Sequence, residues 1–149
     1  MFTELVHNQI LWIAITSWAI AQVLKVVIVL IQEKRIAWNY LFTSGGMPSS
    51  HTATVCSLAT AIAITEGMGS VYFSLAVVLA IIVMYDAAGV RQSVGQHSAL
   101  LNRIIKEFRF KASKPEREVI FREFIGHTPI QVFMGALLGI IVALLWTLL

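Results

Sequence analysis

Apolar residues gather in four stretches, at about 9–31, 49–64, 71–88 and 130–149, separated by polar or turn-forming segments. Each approaches or exceeds the roughly 20 residues that cross a bilayer as a helix. Lipid offers the backbone no hydrogen-bond partner, so a spanning segment of this kind must be helical. Glu66-Gly-Met-Gly-Ser70 predicts a tight reversal between the second and third stretches. Two polar connections remain, Gln32 to Pro48 and Arg91 to Thr128. The second contains an amphipathic stretch with Leu100, Leu101, Ile104, Ile105 and Phe108 on one helical face, the pattern of a helix lying in the membrane interface. Ser113-Lys-Pro-Glu116 then has the spacing of a capping box, predicting a short helix to Ile125 that Gly126 would end. No internal repeat is visible. The expected fold is all-α: a single-domain membrane helix bundle over 1–149, with about four transmembrane helices and one or two interfacial ones.

Composition agrees with the pattern. Of 149 residues, 58% are hydrophobic and 13% charged, where a soluble domain carries about a quarter charged residues. The one cysteine, Cys56, lies in an apolar run and excludes both an intrachain disulfide and a cysteine zinc site. The first stretch lacks a basic lead-in and a small-residue cleavage site, so it reads as an uncleaved span.

Charge adds sidedness. Of the 11 Lys and Arg, all but Lys25 lie in the two polar connections, and Lys25 lies in the half of the first span nearest them. Four spans place both connections on one side, which the positive-inside rule makes cytoplasmic, with both termini outside. The membrane expected is the plasma membrane of a bacterium.

That topology brings several unusual residues to one depth. Gly45-Gly-Met-Pro-Ser-Ser-His51 leads into the second span, Tyr85-Asp86-Ala-Ala-Gly-Val-Arg91 leaves the third, and Gly126-His-Thr-Pro-Ile-Gln131 enters the fourth. Lys25 is within snorkelling reach of the same layer. The grouping suits a phosphate. Two helix starts point free N–H groups at it, Gly45 and Gly46 permit close backbone approach, and Lys25 and Arg91 supply positive charge. His51 and His127 can act as nucleophile, acid or base near neutral pH. Simpler roles stand beside these. Ser49 or Ser50 can cap a helix, Thr128-Pro-Ile-Gln131 is itself a capping box, and Asp86 can pair with Arg91 or Lys25. His7 falls on the opposite face.

The segments 45–53, 83–91 and 126–135 together resemble the divergent branch of the type 2 phosphatidic acid phosphatase superfamily, related to the vanadium haloperoxidases. That superfamily carries Lys-x6-Arg-Pro, Pro-Ser-Gly-His and Ser-Arg-x5-His-x3-Asp motifs. The resemblance implies a metal-independent phosphatase without cofactor, in which the last His forms a phosphohistidine and the second-motif His protonates the leaving alcohol. Pro48-Ser49-Ser50-His51 looks like the second motif with Ser50 in place of Gly, His127 like the nucleophile, and Lys25 like the first-motif Lys. The chain departs elsewhere. Ile31 and Gln32 stand where Arg-Pro is usual, leaving Lys34 or Arg35 to substitute. Gln131 stands where Asp is usual, with Asp86 or Glu123 as candidate replacements. Phe121 stands where the third-motif Arg is usual, so Arg91 is expected in that role, with Arg122 one step out of register. Arg91 and His97 have the spacing of a rival third motif, but Leu101 stands where Asp would, and His127 is preferred.

The reading is a membrane lipid phosphatase acting on a phosphomonoester or pyrophosphate at the cytoplasmic leaflet, such as phosphatidylglycerol phosphate, phosphatidic acid or a prenyl pyrophosphate. The alternative is a non-catalytic protein that binds phosphorylated lipids through a degenerate site. Expected partners are the lipid substrate and the bilayer, with no nucleic acid. Gly135 and Gly139 leave room for a homo-oligomer, although such small residues more often pack helices within one chain.

Overall fold

A computed structural model of the chain describes residues 2–34, 45–109 and 126–148. The expected helix over 113–125, and the candidate residues Arg35, Arg122 and Glu123, lie outside the described residues. Every regular element among those described is helical: α1 (Phe2–Val6), α2 (Gln9–Glu33), α3 (Ser50–Thr65), α4 (Val71–Tyr85), a π-helical turn (Asp86–Val90), α5 (Arg91–Arg109) and α6 (Pro129–Leu148).

Local chemistry sets the helix ends. Asn8, Ser49 and Ser70 each accept a backbone N–H from the first turn of the helix they precede. Gly67 has φ +83° in the 66–70 reversal, a conformation that L side chains resist. Segments Gln9–Gln32, Val71–Glu107 and Pro129–Leu148 are long and apolar enough to cross a membrane. α3 is shorter, 16 residues or roughly 24 Å.

α3 is nevertheless the centre of the bundle, packed against α2, α4 and α6. Its composition explains why. Ser, Thr and Ala let neighbouring helices approach closely, and the hydroxyls are satisfied internally. Thr54 and Thr60 donate back to the carbonyls of Ser50 and Cys56 at 2.8 Å, and Ser57 donates to Thr54. Ser17 of α2, fully buried, donates to the Ala53 carbonyl at 3.1 Å.

The closest approach is between α3 and α6. A Cβ added at Gly135 or Gly139 would come within 3.0 Å of the Ser49 or Ala53 carbonyl. These glycines therefore pack helices inside one chain, and the stripe they form is not open to a second copy.

Beyond Tyr85 the helix does not end near Ala88. It widens into the π turn and continues as α5. Leu100, Leu101 and Ile104 of α5 are exposed, while Gly95, Ser98 and Asn102 are buried on another face. The apolar face expected for an interfacial helix thus points away from the protein. A helix from Val71 to Arg109 is roughly 58 Å long at 1.5 Å per residue. The hydrocarbon core is only about 30 Å thick, so α5 extends beyond what α4 needs.

Substituting Gly139→Leu is expected to force α3 and α6 apart, destabilising the bundle by about 3 kcal/mol, the upper part of the overpacking range. Gly69→Ala, where the added carbon meets open space, is expected to change stability by less than about 0.5 kcal/mol. Thermal unfolding of the detergent-solubilised protein, followed by circular dichroism, measures both.

Candidate active site

The α3–α6 contact sets two helix starts side by side. Ser49 N–H donates to the Gln131 carbonyl at 3.0 Å, tying the entrance of α3 to the first turn of α6. The rings of His51 and His127 consequently stand edge to face, with centroids 6.4 Å apart.

His127 is the most constrained member. It is 1% exposed. Its backbone N–H donates to the Ala87 carbonyl at 3.0 Å, so the π turn of the 71–109 helix holds the loop before α6. Gly126 lies against the backbone of Arg91 and Gln92, where a Cβ would not fit. The imidazole Nδ1 is 3.1 Å from Gln131 Oε1.

That contact fixes the tautomer. Gln131 Oε1 also receives the Thr128 backbone N–H at 3.2 Å, so the atom at this position must be the amide oxygen. An oxygen that accepts from Thr128 can only accept from the ring. Nδ1 therefore carries the proton in the neutral imidazole, and Nε2 presents its lone pair. Nε2 is buried and has no hydrogen-bond partner among the described residues. Burial pushes the pKa of His127 below the ordinary 6.5. The bond to Gln131 opposes that shift, Lys25 and His51 add to it, and the Gly46 backbone opposes it. These effects together favour the neutral ring, whose Nε2 lone pair meets no donor among the described residues.

Cationic groups surround the pair. Lys25, 1% exposed, reaches from α2 to donate to Ser50 Oγ at 3.1 Å. Lys25, Arg91 and Asp86 all lie close enough to act on the charge of His51. Arg91 Nε is 2.5 Å from Asp86 Oδ2, both side chains being about two-fifths exposed. On an α-helix, residues spaced i, i+5 point about 140° apart. The i→i+5 closure of the π turn brings these two onto one side.

The candidates divide as follows. Lys25, Ser50, His51 and His127 come together, with Gly45 buried and Gly46 half-buried at φ +92° beside them. Ser49 is at the site, but its hydroxyl is occupied in capping, accepting from Thr52 N–H at 3.4 Å and from Thr52 Oγ1 at 3.0 Å. Asp86 faces Arg91. Gln131 and Thr128 form the reciprocal capping box, with Gln131 N–H donating to Thr128 Oγ1 at 3.4 Å. His97 is exposed on α5. The Ala87 carbonyl was not foreseeable from side-chain chemistry, since a backbone acceptor leaves no mark on residue type. Its nearest signal was the run of small residues Ala87-Ala-Gly89, which permits a widened turn.

Comparison with known proteins bears on this arrangement. The chain is 37% identical over 150 residues to the uncharacterized membrane protein YuiD of Bacillus subtilis (strain 168), with 95% of each protein covered. No solved structure matches. A family model described as the Divergent PAP2 family matches residues 6–142, which include α2, α3, α4 and most of α6, with His51 and His127. The chain is an integral membrane protein and belongs to the divergent PAP2 family.

Proposed function

We propose that the chain is a phosphatase of membrane lipids, cleaving a phosphomonoester or pyrophosphate through a phosphohistidine on His127. The observation that carries this reading is the buried, unpartnered Nε2 of His127, with Nδ1 tied to Gln131 and a second imidazole 6.4 Å away. A buried nitrogen without a partner costs stability, and an electrophilic phosphorus is a group that would use it.

Each step has a residue. Lys25, the Ser50 hydroxyl and the N–H groups at the start of α3 hold the phosphoryl oxygens. The Nε2 lone pair of His127 forms a bond to phosphorus as the bond to the lipid oxygen breaks. His51, as imidazolium, gives its proton to that oxygen. His51 then takes a proton from water as the water oxygen attacks phosphorus and the N–P bond breaks, releasing inorganic phosphate. Gln131 keeps the His127 ring oriented throughout, as a neutral partner in place of a carboxylate. Arg91 neutralises the transferring group once it turns from Asp86.

Sidedness follows from the helix ends. The starts of α2 and α4 line one cavity, through Asn8 and Tyr72. This supports a topology in which α2 and α4 begin at the same membrane surface and α3 carries the chain back across as a short fourth crossing. The basic residues of α5, Arg103 and Lys106, then share a side with the histidines, which we assign to the cytoplasm. Substrates presented there include phosphatidylglycerol phosphate, phosphatidic acid and prenyl pyrophosphates. A second reading, binding without turnover, draws on two observations: Gln131 is uncharged, and Arg91 is engaged by Asp86.

Purified protein with a panel of lipid phosphates separates the two. His127→Ala is expected to remove phosphate release by at least about a thousandfold, and His51→Ala by about a hundredfold. Tight binding by the wild type with no phosphate released would establish the second reading. The pH profile gives a further check. Since His127 titrates below 6.5, its ionisation should limit kcat/KM only on the acid side of that value, and the proton that His51 must carry should set a separate alkaline limb. Gln131→Glu adds an anion that favours the imidazolium, so its acid limb should move upward in pH. For orientation, Met68→Cys in a Cys56→Ala background should react with an impermeant maleimide on intact cells. Lys106→Cys should react only after permeabilisation.

A further inference from the structure

The gap between α2 and α4 has no assigned role. Both helices pack on α3, yet among the described residues they make no extensive interface with each other. The strip of α3 between them is its least covered side. His51 is exposed there, and Leu58 and Ile62 are half-buried. These residues share one helical face, because seven- and eleven-residue steps return to nearly the same angle. α2 supplies a facing wall by the same rule, with Leu11, Trp18 and Lys25 on one side of that helix and Trp18 47% exposed. At its far end the gap opens into a cavity of about 530 Å³ lined by Leu11, Leu58, Ile62 and Tyr72, with Asn8 and Glu66 among the polar lining residues. That volume lies within the range of small-molecule sites. At its near end stand Lys25 and the Asp86–Arg91 pair, the charged groups that act on His51.

From this continuity we infer that the α2–α4 gap is the track for one hydrocarbon chain of the substrate, running from the phosphate at His127 to the cavity at Leu58 and Ile62. The inference rests on the lipid phosphatase reading and adds chain recognition to it. The polar end of the track is the site already described, and its course is lined by Leu11, Trp18, Leu58 and Ile62. No second protein fits as its occupant, because the strip ends in the buried phosphate site. Length makes the proposal specific. His51 to Ile62 is roughly 16 Å along the axis, about two-thirds of the length of α3. A chain that fills the track therefore passes the middle of α3 toward the surface where α2 and α4 begin, and a short chain leaves the cavity empty. The protein should select long-chain over short-chain lipid phosphates by more than their partition into the membrane.

Two measurements test this. In the first, Leu58→Trp and Ile62→Trp fill the track, and Val78→Trp, on the outer face of α4, is the control. With dipalmitoyl phosphatidic acid in vesicles, each of the first two should lower kcat/KM by at least about tenfold, equivalent to two buried methylenes. With dihexanoyl phosphatidic acid both should stay within about twofold of wild type, as should the control on either substrate. Equal loss on both substrates, or no loss on the long one, would overturn the inference. The second measurement needs neither turnover nor a bulky side chain. In a Cys56→Ala, His127→Ala background, maleimide labelling of Leu58→Cys should be slowed at least about fivefold by dipalmitoyl phosphatidic acid, and not by dihexanoyl phosphatidic acid or inorganic phosphate. Labelling that is insensitive to the long-chain lipid would also reject the track. Wild-type protein that hydrolyses neither lipid would reject the phosphatase reading alone, since the labelling result still reports on chain binding.

Discussion

The contact on which the rest depends is the packing of α6 against α3 at Gly135 and Gly139. Neither position has space for a single additional carbon against the α3 backbone. Small residues on the α3 side, Ser49, Ala53 and Ser57, complete the interface. In lipid no hydrophobic force drives helices together, so close backbone approach and the dispersion it permits must do so. One consequence is structural and another chemical. The same contact that holds the bundle aligns the starts of α3 and α6, and a histidine stands at each start. A wider interface, with side chains between the helices, would carry His51 away from His127 and leave two unrelated imidazoles.

The electrostatics follow from how the two histidines are held. Placing His127 in a buried pocket raises the cost of its charged form, and the cationic Lys25 nearby raises it again. A carboxylate partner on Nδ1 would offset these effects and stabilise the imidazolium. Gln131 orients the ring almost as well, through an oxygen already fixed by the Thr128 N–H, while adding no charge. The substitution of Gln for the usual Asp is thus consistent with a nucleophile kept neutral near physiological pH. Its cost is weaker support for the positive charge that forms on the ring during transfer. Which consequence dominates decides between a working enzyme and a binding site.

Much of the framework was legible in the sequence because its determinants are local. The apolar stretches coincide with α2, α3, α4 and α6, since hydropathy and capping residues act within a turn or two. The capping box at Thr128 and the reversal at Gly67 were readable for the same reason. The proximity of His51, His127 and Lys25 was legible only through topology, by asking which helix ends must share a membrane surface. What could not be read was the fate of the chain after Tyr85. Ala87, Ala88, Gly89 and Val90 carry no polar signal, and whether they stop a helix or widen it depends on a hydrogen bond from His127, distant in sequence. The pairing of Asp86 with Arg91 was one of two options open, and the π turn selects it. The division of labour between Ser49 and Ser50 was equally closed to pattern reading. Adjacent serines differ only in direction, one turned to cap α3 and the other to Lys25.

The shortness of α3 ties these features into one design. A full-length central span would place its first turn in the headgroup layer, where water competes for every N–H. At roughly 24 Å, α3 begins level with α6 and below the ends of α2 and of the helix that continues from α4 into α5, in a recess closed by Lys25 from α2, the π turn beyond α4 and the loop before α6. An anion drawn into that recess meets donors that have little access to water, which makes each of them stronger. Such a recess is reached most easily by an anion whose attached chain already lies in the bilayer. A soluble phosphate would have to give up its hydration with no hydrophobic gain to offset the loss. The geometry of a short, polar-faced helix among longer apolar ones therefore suits the proposed lipid-borne phosphate better than a free one, independently of which headgroup carries it.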